Sequence, residues 1–398
     1  MKRVLPAVGG WAVSSLSVRR FPTEAALFDL VIVDEASQCS IPQVLPLLFR
    51  ARRALIIGDP MQLRHIAAIT PERETNARRS LGIPAGWLEE RQLSYRRHSA
   101  FHALERSAGS SHLLDEHYRC HPQIASFVNR MFYGGQLTVL TDTRDQHRLE
   151  RDPIVWVDVE GRPTRPAQGR SWVNEDEIQK VNDCVKFVVR ELPEATVGVV
   201  TPYKAQADRI ARHWNHKPQV RVGTVHTFQG GERDVVVFDL VAGPAMPGSS
   251  IAWLEAARNL WNVAISRARV HLVVVGNHAF WSSRRGVGAE LAAIDAAVDE
   301  PAKDDLLLQR LYARLSSIPG AIVELAVSVN GYTCDALVHR DGRSTVVLLD
   351  RTALAMDAAR HLRLQYRRVA LLTAPDRSRD TVRVPAWRLY ERADPDWW

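Results

Sequence analysis

The stretch LFDLVIVDEASQ, Leu27 to Gln38, constrains this chain more than any other. An apolar, β-branched run this short reads as a strand buried on both faces. Asp34 and Glu35 close it, placing two carboxylates at the carboxyl end of a strand, where open α/β sheets hold their ligands. A hard divalent ion carried on phosphates needs a carboxylate beside it. A water attacking a terminal phosphate needs a second group to orient it or take its proton. Asp34 suits the first task and Glu35 the second, which points to a magnesium nucleotide; a strand end with a solvated acidic turn is the blander account of the same pair.

With 398 residues the chain has room for two or three domains. A composition of 46% hydrophobic and 24% charged residues is that of a globular protein and excludes a disordered or fibrous chain. The net charge of +7 favours a polyanionic partner. Only six of the 52 basic residues are lysine (Lys2, Lys180, Lys186, Lys204, Lys217 and Lys303). Arginine forks suit phosphate, and codon bias would produce the same excess. Cys39, Cys120, Cys184 and Cys334 form no CxxC pair, which argues for a reducing, cytoplasmic setting and against a zinc site. No apolar run approaches the roughly 18 residues of a membrane helix, so no membrane partner is expected.

The first residues offer a possible strand from Trp11 to Leu16. They lack a phosphate-cradling GxxxxGK[ST] loop, and the dipeptide Gly-Lys occurs nowhere in the sequence. A helix is expected from Pro42 to Arg50, then ALIIGDPMQL repeats the grammar of a buried strand ending in a turn. There Gln62 is either an uncharged sensor of a γ-phosphate or a surface glutamine in an ordinary loop. Thr70 to Ser111 is polar and arginine-rich, and reads as a surface connector that either touches nucleic acid or is simply solvated. In LLDEHYRCHP, Arg119 precedes a helix from Gln123 to Phe132.

Strand-like runs then recur at Ile154 to Val159, Val197 to Tyr203, Val220 to Phe228, Val235 to Val241 and His271 to Asn277, which is the pattern of a parallel sheet. Ile178, Val181, Val185 and Val188 mark a crossover helix within Asn174 to Leu192. Gln229, Gly230, Gly231 and Glu232 interrupt two strands; glycines there let backbone approach a ligand and Glu232 is placed to accept from a ribose hydroxyl, or the four form a plain β-turn. Arg267 and Arg269 stand just before the last of these strands, facing either the sheet's ligand edge or water.

Taken in order, VIVDEAS, GDPMQL, YRCHP, TPYKAQ, TVHTFQGGERDVVV and NVAISRAR closely resemble the ordered motifs of superfamily 1 helicases, in the subgroup of the nonsense-mediated-decay helicase and the nuclease-helicases of replication. The resemblance implies an α/β chain of two RecA-like domains closing on ATP and Mg2+ and translocating along single-stranded DNA or RNA, usually 5′ to 3′. Carried over by position, Asp34 would bind magnesium, Glu35 would activate water and Gln62 would contact the γ-phosphate. Arg119 and Arg267 would be the arginine fingers, and Glu232 would hold the ribose with Gln229 and Gly230 beside it. Tyr118 and Tyr203 would be nucleotide or domain-closure contacts, and Thr201, His226 and Thr227 would contact the nucleic-acid backbone. The family's phosphate loop should precede Met1, so residues 1–112 are expected to form an incomplete first RecA-like domain and 113–285 a complete second one. A missing N-terminal segment or separate chain would supply that loop, and little ATP hydrolysis is expected from these residues alone.

After a linker at 286–303, residues 304–398 order themselves as helix (Asp304 to Leu315), three strands, helix (to Tyr366) and strand (Arg368 to Thr373). This resembles the very-short-patch-repair-like endonuclease modules, with a small restriction-endonuclease-like α/β fold, that end many helicases of this subgroup. Asp335 stands where that family has its aspartate and Asp350 matches a second. Leu348 occupies the glutamate position and Arg351 and Thr352 the lysine position, so the module is expected to be degenerate and to bind nucleic acid or a partner. Two alternatives from other classes stay open: a non-catalytic nucleic-acid-binding protein derived from a helicase, and a metal-dependent nuclease acting through the C-terminal domain.

Overall fold

The computed structural model describes residues 4–167, 171–294, 305–351, 358–374 and 378–391. It is a mixed α/β protein that divides into two compact units, Met1–Leu114 with Arg258–Val263, and Asp115–Ala257 with Ala264–Trp398.

In the first unit β1 (Phe28–Val33) pairs in parallel with β2 (Ala51–Ile56), and α1 (Ile41–Phe49) connects them. A capping box starts α1, where the Ser40 N–H donates to Gln43 Oε1 at 2.7 Å. Helices α2 (Pro71–Ser80), α3 (Trp87–Glu90) and α4 (Ala100–Ala108) follow. Val33, Ala36, Val44 and Ala100 form the core, so α1 and α4 cover one face of the strand pair. The other face is open: Leu30 and Ile32 are 50% and 57% exposed. The strand expected to be buried on both faces is therefore fully buried on one only, with Leu30, Ile32 and Leu55 left about half exposed. Nor is Trp11 to Leu16 a strand. It has no partner strand; Ser15–Arg20 coils into a 3-10 helix and Trp11 packs edge-on against Phe21, ring centroids 5.5 Å apart.

The second unit opens with β3 (Glu116–His117), α5 (Pro122–Phe132) and β4 (Thr138–Val139), a short parallel pair. A five-stranded parallel sheet follows, built from β5 (Ile154–Asp158), β6 (Val197–Thr201), β7 (Val220–Thr224), β8 (Arg233–Asp239) and β9 (Ala268–Gly276) in the order β5-β9-β8-β6-β7. The expected strands are there, except that Val225–Phe228 turns into a 3-10 helix instead of prolonging β7. The linking helices are α6 (Glu175–Glu191), α7 (Lys204–Trp214) and α8 (Gly248–Ala256), followed by α9 (Arg258–Ser266), whose Arg258–Val263 part belongs to the first unit, and by α10 (His278–Ser282) and α11 (Val287–Ile294) after β9. Asn174 caps α6, and Ile178, Val181, Val185 and Val188 lie on its sheet-facing stripe. They pack on Val197, Val199, Val235 and Val237, each such buried side chain contributing about 2 kcal/mol.

The C-terminal module belongs to the same compact unit. It runs α12 (Leu306–Ser316), β10 (Ile322–Val329), β11 (Tyr332–Arg340), β12 (Arg343–Asp350), α13 (Ala358–Leu372) and β13 (Arg379–Pro385). Two-residue turns, Asn330-Gly331 and Asp341-Gly342, join β10 to β11 and β11 to β12, all four residues having positive φ. Strand β13 pairs in parallel with β12. The strand expected at Arg368 to Thr373 is instead the end of α13, which carries Leu372 into the core, and the fourth strand forms later, over Arg379–Pro385. Half of the expected linker, 295–303, and Thr352 lie outside the described residues; the linker's first half holds α11 instead of a plain linker. No described helix is long and apolar enough to cross a membrane.

Candidate functional site

In the first unit the chain leaves β1 through a strained step. Glu35 takes the left-handed conformation, φ +52°, which a side-chain-bearing residue adopts only where its surroundings impose it. Asp34 Oδ1 accepts the Glu35 N–H at 2.9 Å, and Glu35 Oε2 accepts from Gln38 Nε2 at 2.9 Å. The Ala36 N–H donates to Ile57 O at 2.8 Å, tying this loop to the one after β2. Buried Ser37 completes the tie: its Oγ accepts the Asp59 N–H at 3.0 Å, and Asp59 Oδ2 accepts from Gln62 Nε2 at 2.9 Å. Thus the adjacent Asp34 and Glu35 and the distant Gln62 stand on two adjoining loops that follow the ends of β1 and β2. Gly58 makes the approach possible, since a Cβ there would lie 2.9 Å from Phe101 Cδ2 and 3.0 Å from Ser37 N. Asp34 is exposed, and one acidic side chain beside a nucleotide's phosphates is the donor set a magnesium ion takes.

Two asparagines passed over in the sequence reading join this loop. Asn259 Nδ2 donates to the carbonyls of Pro60, at 2.9 Å, and Gln62, at 2.5 Å; Asn262 Nδ2 donates to Met61 O at 3.0 Å. Their repetition three apart in NLWN, on one helix face, was the available signal.

In the second unit Arg119 Nε lies 2.7 Å from Glu232 Oε2, and Arg269 reaches both Glu232, at 3.7 Å, and Asp234, at 3.2 Å. With Glu116, His117 and Tyr118 these residues line an open cavity of about 460 Å³. Arg267 is not on that wall. It is 3% exposed, with Nη1 donating to Gly231 O and Nη2 to Ser266 Oγ, each at 3.2 Å. It therefore shapes the Gly230-Gly231 turn, where Gly230 has φ +76°. Gln229 lies beside this turn, its Nε2 buried with no partner among the described residues.

Burial sets the protonation of this region. His117 is pushed down to about 4, first by burial and then by the Arg119 guanidinium. Burial likewise lowers His121 to about 4 and raises the Cys120 thiol to about 12, so neither serves as an acid or nucleophile near neutral pH. At the far end of β8 two carboxyls share a dry site: Glu177 and Asp239 are both fully buried and both raised, mainly by desolvation. Gln206 Nε2 donates to Asp239 at 2.8 Å and the Val241 N–H to Glu177 at 2.7 Å.

Of the residues expected to touch nucleic acid, His226 and Thr227 are exposed, and Thr227 Oγ1 donates to Thr224 O at 2.7 Å. Thr201 is fully buried at the end of β6, so it cannot reach a phosphate in this conformation. Tyr203 is buried too, its hydroxyl raised to about 12 by burial. Asp335 and Asp350 are both engaged by arginine. Asp335 Oδ1 meets Arg351 at 2.7 Å while its Oδ2 accepts the Leu349 N–H at 2.8 Å; Asp350 pairs with Arg383. Among the described residues no group of three or more His, Cys, Asp or Glu is placed to hold a metal ion.

Two family models, each described as an AAA domain, match residues 13–67 and 96–279. The chain is 30% identical over 271 residues to the probable helicase MAGATAMA 3 of Arabidopsis thaliana, and 26% over 269 residues to helicase SEN1 of Saccharomyces cerevisiae. It is 29% identical over 262 residues to the human probable helicase senataxin. The chain carries a superfamily 1 helicase core. Each alignment takes in 63% of this chain but only 30%, 11% and 9% of those relatives, so the helicase core seen here corresponds to a small part of each. Among solved structures, the complex of Arterivirus nonstructural protein 10 (helicase) with DNA aligns with 63% of this chain and 40% of that one at 15% identity and a TM-score of 0.30, a likeness too slight to carry an argument.

Proposed function

We propose that this helicase core couples ATP hydrolysis to movement along single-stranded DNA or RNA, through two RecA-like domains followed by an endonuclease-like module that does not cleave. The observation that carries the reading is the convergence of Asp34, Glu35 and Gln62 through the Ser37–Asp59 hydrogen bond. Asp34 would hold the magnesium ion, which supplies charge neutralisation at the phosphates when bound. Glu35, held by Gln38 in its strained turn, orients water and takes its proton; Gln62 contacts the terminal phosphate without competing for metal. Within the second unit, Arg119 is the phosphate-facing guanidinium, and Glu232 holds the ribose once Arg119 turns from it to phosphate. Arg267 serves that reaction by fixing the Gly230-Gly231 turn, with Gln229 beside it. Tyr118 packs on the nucleotide, and exposed His226 and Thr227 meet the nucleic-acid backbone.

The test is phosphate release with Mg2+ and single-stranded oligonucleotide, comparing wild type with Glu35→Gln. Any stimulated turnover should fall at least about 100-fold, since the base is removed while the acceptor geometry stays. Turnover that survives the substitution would sink the assignment. The absence of a Gly-Lys dipeptide favours a second reading, a helicase-derived protein that binds nucleic acid without turnover. Salt-sensitive oligonucleotide binding that is indifferent to Mg·ATP would select it.

A further inference from the structure

We propose that the C-terminal module is a positioning brace for Arg119: it grips the segment that delivers this arginine from both sides, so that the module sets the readiness of the nucleotide site and is not merely appended to it. The inference rests on the reading of Arg119 as a phosphate-facing group.

The need for a brace follows from the length of β3. Two residues paired to a two-residue β4 make too few hydrogen bonds to hold a loop in register. The module supplies what is missing at two places. Arg360 and Arg367 are seven residues apart on α13, two helical turns, and therefore share a face. Arg360 pairs with Asp115. Arg367 Nη1 donates at 2.8 Å to Glu116 Oε2 and at 2.8 Å to the Tyr118 hydroxyl, which itself donates to Glu116. The three residues engaged, Asp115, Glu116 and Tyr118, all lie within the four positions before Arg119.

The second grip falls just after it. The Asn330-Gly331 turn presses on His121: a Cβ at Gly331, φ +81°, would lie 2.5 Å from His121 Nε2 and 3.0 Å from Pro122 Cδ. Tyr332, buried, donates from its hydroxyl to Thr141 O at 2.8 Å, and Thr143 Oγ1 donates to Asn330 O at 2.9 Å. Exposed ion pairs alone hold little, so the buried turn anchors the module and the two arginines set the aim of the strand. Arg119 itself makes its ion pair with Glu232, which leaves the module acting through the neighbours of Arg119.

The experiment uses the whole chain and hydrogen exchange read by mass spectrometry, which needs no nucleotide. In the double variant Arg360→Ala with Arg367→Ala, amides from Glu116 to His121 should exchange at least about tenfold faster while those of β8 stay as in wild type, showing that the fold is intact. Arg367→Lys, which keeps the charge, should restore part of the protection. Unchanged exchange over Glu116 to His121 overturns the proposal. Affinity for a fluorescent ATP analogue then separates the two claims. If Arg119→Ala leaves affinity unchanged, the phosphate-facing reading fails; in that case, and where wild type itself shows no binding, exchange alone decides the brace. If Arg119→Ala weakens binding and the double variant, despite faster exchange, binds as wild type does, the brace fails as a positioning element.

Discussion

The imidazole Nε2 of His117 accepts the backbone N–H of Cys120 at 2.9 Å, closing a three-residue turn around Arg119. Only a neutral ring can accept this bond, and burial keeps it neutral. The turn that presents the cavity's arginine is therefore held by a histidine that must not be protonated.

A pH dependence follows. The folded value of about 4 lies below the ordinary 6.5, so between the two the unfolded chain binds the extra proton. The contribution to stability is complete above pH 6.5 and is lost as pH falls towards 4; His121 acts in the same direction. His117→Ala should cost about 1–3 kcal/mol in urea unfolding at pH 7.5, the penalty of a buried donor left without an acceptor. It should also make the acid-side decline shallower than in wild type. An identical decline in the variant would remove His117 from the explanation.

Glu177 and Asp239 carry the opposite sign. Their folded values are raised above the ordinary carboxyl values, so their contribution is complete below about pH 4 and diminishes as pH rises through the raised value. Glu177→Gln keeps an acceptor for the Val241 N–H and offers Asp239 a donor without a charge to desolvate. Its melting temperature should exceed that of wild type at pH 8 and match it at pH 5. A variant less stable than wild type at pH 8 would show that the pair prefers its carboxyl form there.

Gly58→Ala tests the bridge between the two loops of the first unit. With Phe101 and Ser37 N at 2.9 and 3.0 Å from the new methyl, the substitution should cost about 1–3 kcal/mol in denaturant unfolding. A midpoint equal to wild type would mean that these neighbours yield, and that the loop spacing is not set by this contact.

Cleavage by the C-terminal module should not depend on Asp335. Its carboxylate is engaged by Arg351 and the Leu349 N–H, so plasmid incubated with Mn2+ and wild type or Asp335→Ala should show the same background. The same variant should lose about 1–3 kcal/mol of stability, because the Leu349 N–H is left unpaired. Cleavage that vanishes with Asp335 would restore the nuclease alternative.

The parallel sheet was legible because its strands are β-branched runs and the stripe of α6 keeps a helical period. Asp34, Glu35 and Gln62 could be placed on adjoining loops because two strand–turn segments of the same grammar follow one another. Other features depend on contacts no local pattern records. The open face of β1 is a matter of what covers Leu30 and Ile32, and the burial of Arg267 depends on Gly231, distant in sequence. The misplaced last strand had a readable cue: the period of Leu362, Tyr366 and Val369 continues α13 through Arg368. Asn330-Gly331 and Asp341-Gly342 likewise carry the signature of tight hairpins.

The seating of Tyr332 and Gly331 bears on how the protein can be trimmed. Cutting after Ile294 would strip the lid from Val139, Thr141 and His121 and turn an interior seam into wet surface. A shortened form made for crystallisation would then need polar replacements along that seam, or it would be expected to clump with its own kind.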